Sequence, residues 1–199
     1  ATSIQQTSDG GYIVAGETDS FGAGNYDFWV LKLKSDGDVE WQKTYGGTNW
    51  DGAFSIQQTS DGGYIVAGYT DSFGAGNYDY WVLKLKSNGD VEWQKTYGGA
   101  NSDYAYSIQQ TSDGGYIVAG YTESFGASGD YWVLKLNSDG GIVFNPASGA
   151  STTNTSVTPS DTLVSSPDST GTSSDTTATA TDTSVVPQDT NATIVQQAP

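Results

Sequence analysis

Residues 3–47 read SIQQTSDGGYIVAGETDSFGAGNYDFWVLKLKSDGDVEWQKTYGG, and nearly the same text restarts at Ser55 and again at Ser107, 52 residues further on each time. A chain that repeats itself at such a period is a stack of one structural unit before it is anything else. The first two units differ at only about seven positions, so every unit must satisfy the same local packing, as when each stacks on a copy of itself.

Turn signals divide each unit into four strands. The first, residues 3–7, runs into Asp9-Gly10, a pair whose small, φ-permissive chemistry suits a tight hairpin turn. The second, residues 12–16, is β-branched and small, which predicts a crowded inner position where units converge. After a Gly- and Ser-rich loop, residues 28–34 place Trp29, Leu31 and Leu33 on one face and Val30, Lys32 and Lys34 on the other, the period of a half-buried strand. The Asp36-Gly37 turn leads to residues 39–45, where Val39, Trp41 and Tyr45 alternate with Glu40, Gln42 and Thr44. Each of these strands is expected to have one core face.

Four antiparallel strands in such a unit describe a propeller blade. The run Gly10-Gly11-Tyr12-Ile13-Val14-Ala15-Gly16, then Phe28-Trp29-Val30-Leu31, the Ser35-Asp36-Gly37 turn and Trp41 resemble a kelch-type repeat, in the order seen in extracellular bacterial and archaeal propellers. The resemblance implies an all-β domain of three tandem four-stranded blades over residues 1–146, and it brings no catalytic residues. It departs at the double glycine after strand two, here Gly16-Glu17, Gly68-Tyr69 and Gly120-Tyr121. A β-trefoil, also three units of four strands, is the alternative arrangement.

Composition narrows the chemistry. The chain has no Cys, Met, His or Arg, which removes disulfides, thiol nucleophiles, imidazole bases and His or Cys metal sites. A net charge of -16 with seven lysines as the only basic residues repels nucleic-acid phosphates and anionic lipid surfaces. No apolar run is long enough to insert in a bilayer. The start at Ala1 reads as a processed or excised end, and the protein is expected outside the cell or at its surface.

Propellers close with about four to eight blades, so three leave open flanks. The third unit degenerates from the Val-Glu-Trp-Gln-Lys-Thr-Tyr of strand four to Ile142-Val143-Phe144-Asn145-Pro146-Ala147-Ser148, and its proline removes a ladder donor. The first unit shows no such change. Its exposed edge is the expected assembly face, the partners being other copies of the chain.

Residues 147–199 shift to Ser, Thr, Asp, Ala and Pro, too polar to build a core. Two glycosylation sequons lie here, at Asn154 and Asn191. Asn154, Asp161, Asp168, Asp175, Asp182 and Asp189 fall seven apart, each followed by Thr or Ser. The run Thr193, Ile194, Val195, Gln196 and Gln197 echoes the first strand of a blade and is expected to add to an exposed edge, giving filaments if the contact does not close.

Acidic residues recur at Asp9, Asp61 and Asp113, at Asp36, Asp38 and Asp90, and at Asp27, Asp79 and Asp130. Calcium needs six to eight converging oxygens, which these spacings do not supply in any familiar loop, and Asp before Gly is ordinary turn chemistry. Near-identical copies of every carboxylate also argue against one specialised catalytic pair, so no enzyme activity is expected and no cofactor, with calcium at the repeated acidic loops as the minor alternative. Trp29, Trp81 and Trp132 belong to the core. Tyr26, Trp50, Tyr78, Tyr104 and Tyr106 sit in or beside loops, where sugars can stack. Two functions follow: a self-assembling structural protein whose tail makes subunit contacts or carries glycans, and, as the alternative, a lectin-like adhesion module.

Overall fold

The computed structural model describes residues 1–125, 129–144, 174–175 and 188–189. Each repeat forms its own antiparallel sheet in chain order. The first blade is β1 (Ser3–Gln6), β2 (Tyr12–Thr18), β3 (Asp27–Leu33) and β4 (Val39–Tyr45). The second is β5 (Asp51–Gln58), β6 (Tyr64–Thr70), β7 (Asp79–Leu85) and β8 (Val91–Tyr97), and the third is β9 (Asp103–Gln110), β10 (Tyr116–Thr122), β11 (Asp130–Leu136) and β12 (Ile142–Phe144). Three separate sheets form rather than the shared barrel of a trefoil. No cis peptide bond is present among the described residues.

One expectation widens and another fails. The strand copies that touch from blade to blade are the first ones: β5 meets both β1 and β9. Each first strand also packs on the preceding blade's second strand, β5 on β2 and β9 on β6, so strands one and two share the convergent position, with strand one at the inner edge of its sheet. The single-core-face reading fails for the middle blade, where all seven residues of β7 are buried. Blades stack face to face, so a blade with two neighbours hides both faces of its sheet, and even Lys84 is 3% exposed.

The two joints between blades are built alike. In the first, Phe28, Val30, Ile13 and Ala15 pack against Tyr64, Val66, Trp81, Leu83 and Leu85. In the second, Ile65, Ala67, Tyr80 and Val82 pack against Tyr116, Val118, Trp132, Leu134 and Leu136. An aromatic from one blade meets the next blade's tryptophan each time: Phe28 and Trp81 at 4.7 Å, Tyr80 and Trp132 at 4.8 Å. Hydrogen bonds sew the inner edges. The Ile56 N–H donates to Ser3 Oγ and the Gln58 N–H to Gln5 Oε1, and the Ile108 and Gln110 N–H groups do the same to Ser55 and Gln57. At the outer edges, the Trp41 indole donates to the Ser87 carbonyl and the Tyr45 hydroxyl to Gly89. Trp93 and Tyr97 repeat this toward Ser138 and Gly140.

Two tail segments add to the outer edges. Ser174–Asp175 (β13) pairs with β8 and Gln188–Asp189 (β14) with β4. Asp175 is the register partner of Lys95 and Asp189 that of Lys43, so two members of the seven-residue acidic series fall at equivalent register positions of successive blades. The segments that pair are thus within the same chain. The proposed strand Thr193, Ile194, Val195, Gln196 and Gln197, the sequons at Asn154 and Asn191, and Pro146 lie outside the described residues.

Candidate functional site

The loop aromatics come together at the end of the blades that carries the β2–β3 and β6–β7 loops. Tyr26 stacks on Trp50 with ring centroids 4.7 Å apart, and the Asp51 N–H donates to the Tyr26 carbonyl beneath them. One joint further on, Tyr78 and Tyr104 lie 5.2 Å apart, and Tyr69 meets both edge-on at 5.3 and 5.4 Å. Phe54 touches Tyr69 and Tyr106, and Tyr104 lies near Tyr106 and Tyr121. Tyr106 and Trp50 are 52% and 43% exposed. Carboxylates rim the group: the Tyr69 hydroxyl donates to Glu17 and the Tyr121 hydroxyl to Glu123.

Local irregularity positions these rings. Phe54 falls where the β5–β6 register shifts between Ala53 and Ser55, and Tyr106 occupies the same place in β9. A bulge residue is left out of the pairing and re-aims its side chain. The four aromatics Tyr26, Trp50, Tyr78 and Tyr104 are thus brought into two neighbouring groups of unlike composition, not one identical pocket per blade. Phe54, Tyr69 and Tyr121 also belong to the second group, and the sequence pattern alone does not single them out as ligand positions. The signal that finds them is the list of differences between units one and two. Of the seven (Glu17/Tyr69, Phe28/Tyr80, Asp36/Asn88, Thr48/Ala100, Trp50/Ser102, Gly52/Tyr104 and Phe54/Tyr106), four concern residues of these groups.

The acidic positions have structural occupations. Asp9, Asp61 and Asp113 accept from the N–H two residues on and pair with Lys32, Lys84 and Lys135 at 2.8 to 2.9 Å. Lys32 and the Thr7 hydroxyl hold Asp9 well below the usual carboxylate range, and the Thr111 hydroxyl and Lys135 do so for Asp113. Burial pulls Asp61 upward, but Lys84 and Thr59 prevail and hold it at about 2. Asp36 caps its own turn and Asp90 pairs with Lys43 at 2.9 Å.

Asp27 and Asp79 differ from these. Asp27 Oδ2 accepts the Ala23 and Gly24 N–H groups and so fixes the loop, while Oδ1 is buried without a hydrogen-bond partner. A Cβ on Gly46 would lie 1.8 Å from that oxygen and 3.0 Å from Asp51 Oδ2, so both carboxylates crowd one spot. Asp51 in turn accepts from Thr70, Ser72 and the Gly47 N–H. Asp79 and Asp103 repeat the arrangement at Gly98. Burial, with the neighbouring aspartate's charge, pushes Asp27 and Asp79 up to about 6; Asp51 and Asp103 are raised by burial too. Among the described residues no three acidic, His or Cys side chains gather to hold a metal ion.

The flanks of the array form the other candidate. The first blade leaves Trp29, Leu31 and Leu33 half-buried on its outer side. These are the positions that Trp81, Leu83 and Leu85 bury in the first joint. The third blade leaves Tyr131 exposed and Ile117, Ala119 and Val133 half-buried, the positions that Tyr80, Ile65, Ala67 and Val82 bury in the second joint.

Residues 7–40 and 111–141 match the family model described as "Domain of unknown function (DUF5122) beta-propeller". No curated protein matches the chain. The chain is thus similar to a β-propeller repeat family, and with its three four-stranded antiparallel sheets its fold is that of tandem propeller-like blades.

Proposed function

We propose that the chain is a non-enzymatic structural repeat protein that associates with a second copy of itself, head to tail, to close a six-bladed ring. The observation that carries this reading is one residue seen three times: Ile56 is 4% exposed and Ile108 2%, but Ile4 is 66% exposed. Each buried copy lies on the face that receives the preceding blade. Ile4 lies on the corresponding face of the first described blade, open to solvent.

The third blade offers what that face requires. Tyr131 stands where Phe28 and Tyr80 stand, poised for the Trp29 of a partner, and Ser107 and Gln109 stand where Ser3, Gln5, Ser55 and Gln57 accept the next strand's N–H groups. Two copies supply six blades, within the closed range, and both joints are then the same heterologous contact, closing after one rotation. The sequence has Phe144 and Ser148 where the first blade has Trp41 and Tyr45, side chains that lack the indole and phenol donors of the outer edge. The new joint is therefore weaker than the internal ones, and the ring dissociates on dilution. The kelch-like order of turn and aromatic residues and the sequons at Asn154 and Asn191 support a place at the cell surface or outside it, where the tail carries glycans.

Complementation tests the joint. Ile4→Asp spoils the receiving face and Tyr131→Asp the opposite one, both at exposed positions that leave the fold intact. Each variant alone is expected to be a monomer. Mixed in equal amounts, they are expected to recover a dimer through the one joint that neither substitution touches. Dimers of either variant alone at wild-type strength would overturn the reading.

A further inference from the structure

We infer that the aromatic group at the joint of the second and third blades, centred on Tyr69, Tyr104 and Tyr106, binds a neutral saccharide chain. The inference is independent of ring closure, since every residue involved lies within one chain.

Symmetry gives the first argument. A repeat array holds its packing positions constant because each blade must fit the next. Here the paired lysines and most joint-core positions are constant, whereas three of the seven departures between units one and two fall together at one place. Where the first joint has Glu17, Gly52 and Phe54, the second has Tyr69, Tyr104 and Tyr106. At the first joint Gly52 lies so close to its neighbours that a Cβ would sit 2.5 Å from Glu17 and 2.6 Å from the Tyr69 ring, so crowding there holds the position to glycine. The second joint admits a whole tyrosine at the equivalent position. Packing thus accounts for the glycine of the first joint, and the tyrosine of the second joint adds aromatic surface that the shared stacking of the blades does not need.

The second argument is the chemistry of the surface. Tyr106 is 52% exposed although it sits in a strand, and its ring plane lies 6° from that of Tyr104 with centroids 6.4 Å apart. Tyrosines give a large, rigid, amphipathic contact area with little side-chain entropy to lose. Their hydroxyls donate, and the carboxylates of Glu17 and Glu123 at the rim accept. A ligand hydroxyl does both, so a polyhydroxylated ring matches the donors and acceptors on offer as well as the aromatic faces. The lysines pair with Asp9, Asp61 and Asp113 at the opposite turns, and the chain's net charge is -16. Anionic glycans are disfavoured on that account. A quaternary ammonium ion, the other ligand that aromatics and carboxylates attract, is held best by rings that enclose it, whereas here Tyr69 packs edge-on against Tyr104, Tyr104 and Tyr106 lie nearly parallel, and Tyr106 is open to solvent.

The test uses the full chain and follows tyrosine fluorescence and calorimetry with four neutral hexasaccharides, derived from β-1,4-glucan, β-1,3-glucan, chitin and mannan, and with tetramethylammonium as the cationic probe. At least one hexasaccharide is expected to bind. Tyr106→Ala and Tyr104→Gly, the latter restoring the residue of the first joint, are expected to weaken it tenfold or more, while Trp50→Ala leaves it within twofold. Melting curves of both tyrosine variants check that the fold is retained. Absence of binding by all four sugars, equal binding by the wild type and both tyrosine variants, or binding of tetramethylammonium alone would each overturn the inference.

Discussion

At the scale of single residues, the repeat carries two kinds of aspartate with opposite pH behaviour. Asp9, Asp61 and Asp113 are held below the ordinary value by lysine and turn donors. Their contribution is present above the unfolded pKa of about 4 and is lost as pH falls toward 2. Asp27 and Asp79 are pushed up to about 6, so between about 4 and 6 the folded chain holds protons that the unfolded chain has released. Their contribution is complete below pH 4 and is lost as pH rises through 6. Thermal stability is therefore expected to peak near pH 4 to 5 and to fall toward neutrality. The double variant Asp27→Asn, Asp79→Asn, which keeps an oxygen for the loop N–H groups, is expected to flatten the neutral limb. A melting temperature for the wild type as high at pH 7.5 as at pH 4.5 would contradict this. The sequence showed these aspartates at equivalent places before strand three, and it could not show the difference. Asp9 answers to a lysine in its own blade, whereas Asp27 answers to Asp51 of the next blade, a contact set only by stacking.

At the scale of elements, the strands were legible because the period of two and the Asp-Gly turns are local. Strand four was read at 39–45, where β4 lies, and strand three within one residue of β3. What periodicity could not give was the second buried face. Lys32 and Lys84 alternate with leucines and so looked solvent-facing, yet both are buried, their amines reaching the rim to meet Asp9 and Asp61 while their stems lie in the joints. The loop aromatics were legible as candidates, but their bulged companions Phe54 and Tyr106 depend on pairing register. Stacking makes a graded forecast for equivalent tryptophans. Trp81 is fully buried in the middle blade, so Trp81→Ala should cost about 3 to 5 kcal/mol. Trp29 has the open flank and keeps Phe21 as a neighbour, so Trp29→Ala in the monomeric Tyr131→Asp background should cost under about 2 kcal/mol. Urea unfolding of the two variants gives the comparison, and equal losses would mean that the first blade's flank is covered.

At the scale of the whole molecule, the account rests on the two flanks being halves of one interface. The sequence indicated an unfinished array and placed the assembly face at its first strand, on the ground that only the third unit degenerates. In the proposed ring the third blade supplies the complementary face, and the tail strands β13 and β14 pair with the outer strands β8 and β4. The most direct measurement is the mass of the unaltered full chain by light scattering across a dilution series beginning at about 100 μM, a range in which contacts of modest affinity are populated. The expected result is twice 20.9 kDa at the top of the series, falling toward the single-chain mass on dilution. A mass of one chain at every concentration would contradict head-to-tail closure.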